Sequence, residues 1–434
     1  MAPVTQSTPA SEESSNATAS PIGPTAADID AAAVRLEGVA LRTPLQLNER
    51  LSELTGAFVW LKREDLQPVR SYKIRGAYNL IAQLNEAERA AGVIAASAGN
   101  HGQGVAFACA RLGIRGRIFV PSTTPRQKRD RMRSLGEGLV ELVVTGDTYD
   151  DAAAAAKAEA ARTGASIVPA FDDPRTIAGQ GTVAKEIVEQ FGKAPDVLLV
   201  PVGGGGMLAG CLTWMAEHHP ETRVIGVEPA GAPTLAAALA AGAPVDLERI
   251  DTFADGAAVG RAGDITFAVA KRHSPTMMTV PEGRICSEML ALYQTEGIIT
   301  EPAGALTTAS LGLFRPEPGE TVVAIISGGN NDVSRYAEIV ERALVYEGRK
   351  HYFLVNFPQE PGALRRFLDD VLGPEDDITL FEYVKRSNRE TGPALVGIEL
   401  GDPDSLGDLL MRLDAGPITF EVVASDSPFY RFLV

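Results

Sequence analysis

Lys73 stands in the run Ser71-Tyr72-Lys73-Ile74-Arg75-Gly76-Ala77. That is not the setting of an ordinary solvated lysine. The aromatic and aliphatic neighbours suit a partly buried backbone, and the small pair Gly76 and Ala77 suits a helix start that approaches something closely. A lysine stripped of water loses part of its basicity, and its free amine can form a Schiff base with an aldehyde.

Two distant glycine-rich stretches supply what a phosphorylated partner of that lysine needs. Ser97-Ala98-Gly99-Asn100-His101-Gly102-Gln103-Gly104 ends an apolar strand and opens a helix. Backbone N–H groups at a helix start bind anions, and a substrate carboxylate is a natural tenant. An ordinary strand-to-helix turn needs only one glycine. Gly203, Gly204, Gly205 and Gly206 follow the strand residues Val200-Pro201-Val202 and precede another helix. Four glycines in a row cost much conformational entropy, so a nest of N–H groups around a phosphate explains them better than a plain turn. No Lys-Ser/Thr follows, so this is not a Walker A loop, and the G-x-G-x-x-G dinucleotide pattern is absent. Ser327-Gly328-Gly329-Asn330 ends a third apolar strand, and it could be a turn or could set the Ser327 hydroxyl against a ring nitrogen. Together these residues point to pyridoxal phosphate held by Lys73.

The elements that must position these groups follow a repeating pattern. Short apolar strands at 92–96, 117–120, 140–144, 167–168, 197–202, 224–227 and 322–326 alternate with helical segments. Such alternation predicts an α/β fold with parallel sheet covered on both faces, whose ligands collect at the carboxyl ends of the strands. A first helix is expected over 28–38, and another over 75–84. Beyond Gly348 the order becomes strand, helix, strand, strand, helix, strand, which predicts a small α+β domain with an antiparallel sheet. The division expected is a disordered tail over 1–25, a catalytic domain over 26–345 and a regulatory domain over 346–434.

Composition excludes other classes. Forty basic against 56 acidic residues give a formal charge of −16, which argues against a nucleic-acid partner. The densest basic run, Arg126 to Arg133, reads as a solvated helix face. Cys109, Cys211 and Cys286 are far apart, which fits a reducing cytosol and neither a disulfide framework nor a zinc site. No apolar run reaches the ~18–20 residues of a membrane span, and the Ser/Thr/Ala/Pro-rich start lacks the basic and apolar regions of a signal peptide. A cytoplasmic protein without membrane contact or bound metal is expected.

These motifs, in this order over about residues 28–345, resemble the fold-type II (tryptophan synthase β-like) pyridoxal phosphate enzymes, and most closely the threonine dehydratases. Glu301-Pro-Ala-Gly-Ala305 and Glu282-Gly-Arg284 match as well. The resemblance implies two parallel α/β subdomains and specific roles. Lys73 would carry the cofactor, and Tyr72 would lie against its ring. Asn100 would donate to its phenolic oxygen. Gly203, Gly204, Gly205, Gly206 and Met207 would cradle its phosphate, and Ser327 would face its pyridine nitrogen. Backbone groups of Ser97, Ala98, Gly99, Asn100 and His101 would hold the substrate carboxylate. The freed lysine would remove the Cα proton, the β-hydroxyl would leave, and hydrolysis would give a 2-oxo acid and ammonia. A neutral serine at the ring nitrogen favours elimination over reprotonation. Racemases of this fold place a second serine where Ala98 stands, and their cation site needs a carboxylate where Thr234 stands, so neither racemisation nor that metal is expected.

The C-terminal part resembles the ACT-like regulatory domains of biosynthetic threonine dehydratases, most clearly over Val355 to Leu364. It implies feedback inhibition by isoleucine, and also a response to valine, with contacts from Asn356, Phe357, Glu360, Gly362, Ala363 and Leu364. A pure oligomerisation module is the alternative. The resemblance further implies a homotetramer acting on L-threonine for isoleucine synthesis, with L-serine a second substrate. The competing functions are a serine-preferring dehydratase, another β-elimination or replacement enzyme of this fold, and a non-catalytic amino-acid sensor. A nucleotide-dependent oxidoreductase is disfavoured by the missing fingerprint.

Overall fold

A computed structural model describes residues 23–383, 390–416 and 418–424, together with Ser427, Tyr430 and Leu433. The tail expected over 1–25 lies outside them except at its end. There Thr25 caps helix Ala26–Leu36: its hydroxyl accepts from Asp28 N–H while the Asp28 carboxylate accepts from Thr25 N–H. This capping box starts the helix two residues before the expected 28.

Fourteen strands form three sheets among the described residues. The first ten are β1 (Leu45–Leu47), β2 (Phe58–Arg63), β3 (Val93–Ala96), β4 (Gly116–Val120), β5 (Val140–Val144), β6 (Ser166–Ile167), β7 (Val197–Pro201), β8 (Arg223–Pro229), β9 (Thr276–Val280) and β10 (Thr321–Ile326). A four-stranded, all-parallel sheet has the order β5-β4-β3-β6. A six-stranded sheet, β1-β2-β10-β7-β8-β9, is parallel except at its edge strand β1. Strands β7 and β10 are buried at every position, which is why they read as unbroken apolar runs.

The stretch between β8 and β10, left without elements from sequence, holds β9 and the helices Thr234–Ala241, Asp264–His273, Glu282–Glu296 and Pro302–Ser310. Helix Pro302–Ser310 is buried throughout and consists of small residues with one leucine, so it lacks the amphipathic period that marks a surface helix.

The lysine helix, Lys73–Ala82, starts at the lysine itself. It runs between helices Asn100–Leu112 and Pro174–Phe191 at backbone distance. A Cβ on Gly104 would lie 3.0 Å from the Lys73 carbonyl, and one on Gly179 would run into the Arg75 carbonyl. Beneath it sits a buried ionic cluster. Arg75 donates to both Glu64 oxygens at 2.8 Å and to Glu186 at 2.8 Å, and Lys62 donates to Glu186, Gln190 and the Thr43 carbonyl. Burial opposes ionisation of Glu64, but Arg75 holds its carboxyl below the usual range.

The C-terminal unit has strands β11 (Lys350–Pro358), β12 (Asp377–Tyr383), β13 (Thr391–Glu399) and β14 (Thr419–Val422), antiparallel in the order β12-β13-β11-β14. Helices Ala363–Val371 and Leu406–Ala415 complete its core around Phe353, Phe357, Phe367 and Leu409. The unit is fastened to helix Tyr336–Tyr346, because Lys350 and Tyr352 of β11 both donate to Glu341.

Candidate active site

Lys73 is positioned by the loop before it. Arg70 adopts the left-handed region at φ 55°, unusual for a residue with a side chain. This turn sets residues 70–72 against the end of β10: Gly329 N–H donates to the Arg70 carbonyl at 3.0 Å, and Tyr72 N–H to the Ser327 carbonyl at 3.1 Å. The amine therefore emerges at the carboxyl ends of the strands of the large sheet. It donates to the Ala170 carbonyl at 3.0 Å. Burial lowers its pKa to about 8, partly opposed by the carboxyl of Glu301.

The amine lines a cavity of roughly 900 Å³ between the two parallel sheets. Tyr72, Ser97, Ala98, Gly99, Asn100, His101, all four glycines 203–206 and Met207 share its wall. Ser327 does not line it. Its hydroxyl lies behind the wall and donates to the Ala303 carbonyl at 3.2 Å.

Two groups of free N–H donors line this cavity. Gly205 has φ 91° and caps helix Gly206–His218, a conformation open to glycine at no steric cost. The first N–H of that helix to find a carbonyl is Ala209, bonded to Gly205. Among the described residues, none of the N–H groups of residues 203–207 donates a hydrogen bond. The ring of Phe171 covers Gly204, leaving no room for a Cβ, and Thr266 steadies the turn by donating to the Gly204 carbonyl at 2.7 Å. The second nest is the start of helix Asn100–Leu112. There Gly99 N–H is taken by the Ser97 hydroxyl at 3.2 Å, while Ala98, Asn100 and His101 N–H donate to nothing among the described residues. A donor cradle at a helix start fits a phosphate, and a second fits a carboxylate. With a desolvated amine between them, the residues fit pyridoxal phosphate and an amino acid.

His101 is neutral. Burial and the nearby Lys73 push its pKa down to about 4, and its Nε2 donates to the Val168 carbonyl at 2.7 Å. Burial raises the Tyr72 phenol.

Three contributors receive no role from the sequence, although Glu301 and Asn330 stand inside quoted motifs. Glu301, inside a quoted motif but without a role there, is buried beside Asn100. Burial, reinforced by Asp255, raises its pKa to about 7. Asn330 bonds Asn100 from the other side. Lys128, in the run read as solvated, pairs with Asp255 at 2.8 Å, and Arg131 of the same run donates to the Pro68 carbonyl. Only part of that basic face is therefore solvated.

In the segment after Glu228 the polar groups are engaged with backbone. Glu228 is buried and accepts from Leu235 and Ala236 N–H at 2.7 and 3.0 Å, while Thr234 donates to the Val259 carbonyl.

The C-terminal unit has its own cavity of roughly 330 Å³, lined by Phe357, Ala363, Arg366, Phe367, Arg412 and Ile418 among others. Of the residues expected to contact an effector, Phe357 and Ala363 line it. Asn356 instead bonds Thr419 at 2.9 Å, Glu360 pairs with Arg366, Gly362 caps helix Ala363–Val371, and Leu364 is exposed. The cavity opens toward helix Leu406–Ala415 and the start of β14, about fifty residues beyond the loop that sequence singles out.

Comparisons with known proteins agree in both halves. Residues 36–328 match the pyridoxal-phosphate dependent enzyme family, and residues 341–433 match the C-terminal regulatory domain of threonine dehydratase. The L-threonine dehydratase biosynthetic IlvA of Mycobacterium tuberculosis is 61% identical over 410 residues, covering 94% of this chain and 96% of that protein. That of Bacillus subtilis is 47% identical over 400 residues, covering 92% and 95%. Among solved structures, the processed form of threonine deaminase isoform 2 from Solanum lycopersicum superposes with a TM-score of 0.69 at 38% identity, over 75% of this chain and 91% of that one. Maize serine racemase superposes equally well, with a TM-score of 0.69 at 27% identity, over 75% and 99%. No described helix is long and apolar enough to cross a membrane.

Proposed function

The chain belongs to the biosynthetic threonine dehydratases, pyridoxal-phosphate dependent enzymes with a C-terminal regulatory domain, and we propose that its cavity converts L-threonine to 2-oxobutanoate and ammonia under feedback control by isoleucine. The observation that carries the site reading is the buried Lys73 amine set between two nests of unpaired N–H groups.

In this reading the N–H groups of residues 203–207 would hold the cofactor phosphate, and Met207 and Tyr72, which line the same cavity, would pack against the cofactor. Asn100 would donate to the phenolic oxygen, and Ser327, whose hydroxyl donates to the Ala303 carbonyl outside the cavity lining, would be the neutral residue on the ring-nitrogen side. Bound there, pyridoxal phosphate supplies an electron sink for the Cα–H bond. The free N–H groups of Ala98, Asn100 and His101 fix the substrate carboxylate and so orient the Cα hydrogen toward Lys73, while Ser97 N–H is spent on the Phe119 carbonyl and Gly99 N–H on the Ser97 hydroxyl. Burial brings the Lys73 pKa down to about 8, so around that pH a free amine is available to take the Cα proton. It holds that proton beside the β-hydroxyl and returns it as the group leaves as water. A water then re-enters to release ammonia. The water lost in the first stage is regained in the second, so each threonine gives one 2-oxobutanoate and one ammonia. Ala98 has no side-chain acid that could return a proton to Cα, which favours elimination over racemisation.

The catalytic domain is assigned to 26–345 and the regulatory domain to 346–434, so the division falls at the end of helix Tyr336–Tyr346. The apolar walls of the smaller cavity suit a branched-chain side chain, while Arg366, Asp370 and Arg412 suit the two charged groups of an amino acid. Isoleucine is the proposed inhibitor and valine a competing ligand. The assembly is proposed to be a homotetramer, which sedimentation would show.

Borohydride reduction of the cofactor-loaded protein followed by peptide mass spectrometry tests the site. The cofactor mass on the peptide containing Lys73 supports it. A label on any other lysine, or none, overturns it.

A further inference from the structure

The amide of Asn100 is held from both sides by groups whose chemistry leaves one orientation. Asn330 Nδ2 gives one hydrogen to the Val69 carbonyl at 2.9 Å and the other to Asn100 Oδ1 at 2.7 Å. A carbonyl oxygen can only accept, so Val69 decides which end of the Asn330 amide is nitrogen, and Asn330 in turn decides which end of Asn100 is oxygen. On the far side Asn100 Nδ2 donates to Glu301 Oε1 at 2.6 Å. The chain from Val69 through Asn330 and Asn100 to Glu301 therefore runs one way. Asn100 Nδ2 carries two hydrogens, and Glu301 takes one. The other is a spare donor on a residue that lines the cavity.

We propose that Asn330 and Glu301 are positioning residues that hold the Asn100 amide with its spare N–H toward the cofactor's phenolic oxygen, an inference that rests on the reading of Asn100 given above. Without them the amide would rotate freely, and half its orientations would turn an oxygen lone pair on an oxygen. Glu301 is well placed for the task. It is 5% exposed, and its carboxyl leaves no room for a Cβ on Gly328. Its charged neighbours are Asp255, Lys128 and Lys73.

The visible absorption of the bound cofactor reports this hydrogen bond, because a donor on a phenolic oxygen moves the pH at which the band changes. Full-length cofactor-loaded protein is titrated as wild type, Asn100→Ala, Asn330→Ala and the double variant. Asn100→Ala is expected to move the midpoint by about one pH unit, the scale of one hydrogen bond to a charged oxygen. Asn330→Ala is expected to move it in the same direction and to add nothing in the Asn100→Ala background. Glu301→Leu is expected to weaken cofactor binding about tenfold, and Glu301→Gln, whose amide oxygen still accepts from Asn100, by no more than about threefold. Should Asn330→Ala not fold, the Glu301 pair combined with Asn100→Ala decides by the same non-additivity in cofactor Kd. Additive effects, or an unmoved midpoint in Asn330→Ala, overturn the positioning role and leave Asn100 as a cofactor ligand. An unmoved midpoint in Asn100→Ala overturns both.

Discussion

Lys128 and Asp255 meet at 2.8 Å in the wall of the large cavity. Lys128 comes from helix Arg126–Leu135, which covers the four-stranded sheet. Asp255 belongs to the segment after β8, held from behind by Arg335, which donates to the Phe253 carbonyl at 2.9 Å. A pair of this kind is worth up to about 1 kcal/mol. Lys128→Ala is therefore expected to raise KM for threonine about three- to fivefold with little change in kcat. Screening should shrink the difference between variant and wild type as salt rises. Steady-state kinetics at low and high ionic strength would check both.

The lowered pKa of Lys73 has a sign that can be tested on cofactor-free protein. In the unfolded chain the amine titrates near its usual 10.5, and in the folded one near 8. Between those values the unfolded state binds more protons, so stability rises with pH across that window, and below about 8 the folded state carries the full cost of a buried ammonium. Lys73→Met removes the cost. The variant should melt above wild type at pH 7, and the gain should fade as pH approaches 10.5. Cofactor affinity of the wild-type apoprotein should rise through about pH 8 as the amine becomes neutral.

Gly204 lies under the ring of Phe171 with no space for a Cβ. Gly204→Ala should displace the ring or the loop and spoil the donor cradle. Fluorescence titration should show cofactor affinity reduced at least about tenfold, the loss of one or two charge-assisted hydrogen bonds, with far-ultraviolet circular dichroism unchanged.

The ionic cluster below the lysine helix should be sensitive to the loss of any one member. Arg75 is 2% exposed and Glu64 fully buried. Arg75→Leu leaves Glu64 without its guanidinium and should cost roughly 3–5 kcal/mol in urea unfolding, as expected when one member of a buried pair is removed. A loss below about 1 kcal/mol would mean that Lys62 alone satisfies both carboxylates.

Much of the catalytic half was legible because its chemistry is written in contiguous stretches. Lys73 with its small neighbours, the run from Ser97 to Gly104 and the four glycines 203–206 each carry a local signal. The strands that aim them are unbroken apolar runs. Groups that meet only through the fold were not legible. Glu301 reaches Asn100 across 201 positions of chain, and Phe171 follows a two-residue strand with no sequence mark of its own. Helix Pro302–Ser310 carries no readable period, because burial on all sides erases it. In the regulatory half, the loop around Gly362 was recognisable, yet Arg412 and Ile418 complete its cavity from a later helix and the approach to β14.

The most direct test of the catalytic and regulatory assignment is release of 2-oxobutanoate from L-threonine by the purified, pyridoxal phosphate-loaded protein, with and without isoleucine, beside L-serine and a Lys73→Ala variant. The expected result is 2-oxobutanoate formation that Lys73→Ala abolishes and isoleucine suppresses, with serine the poorer substrate. Turnover of neither amino acid by loaded protein, or undiminished turnover by Lys73→Ala, would contradict it.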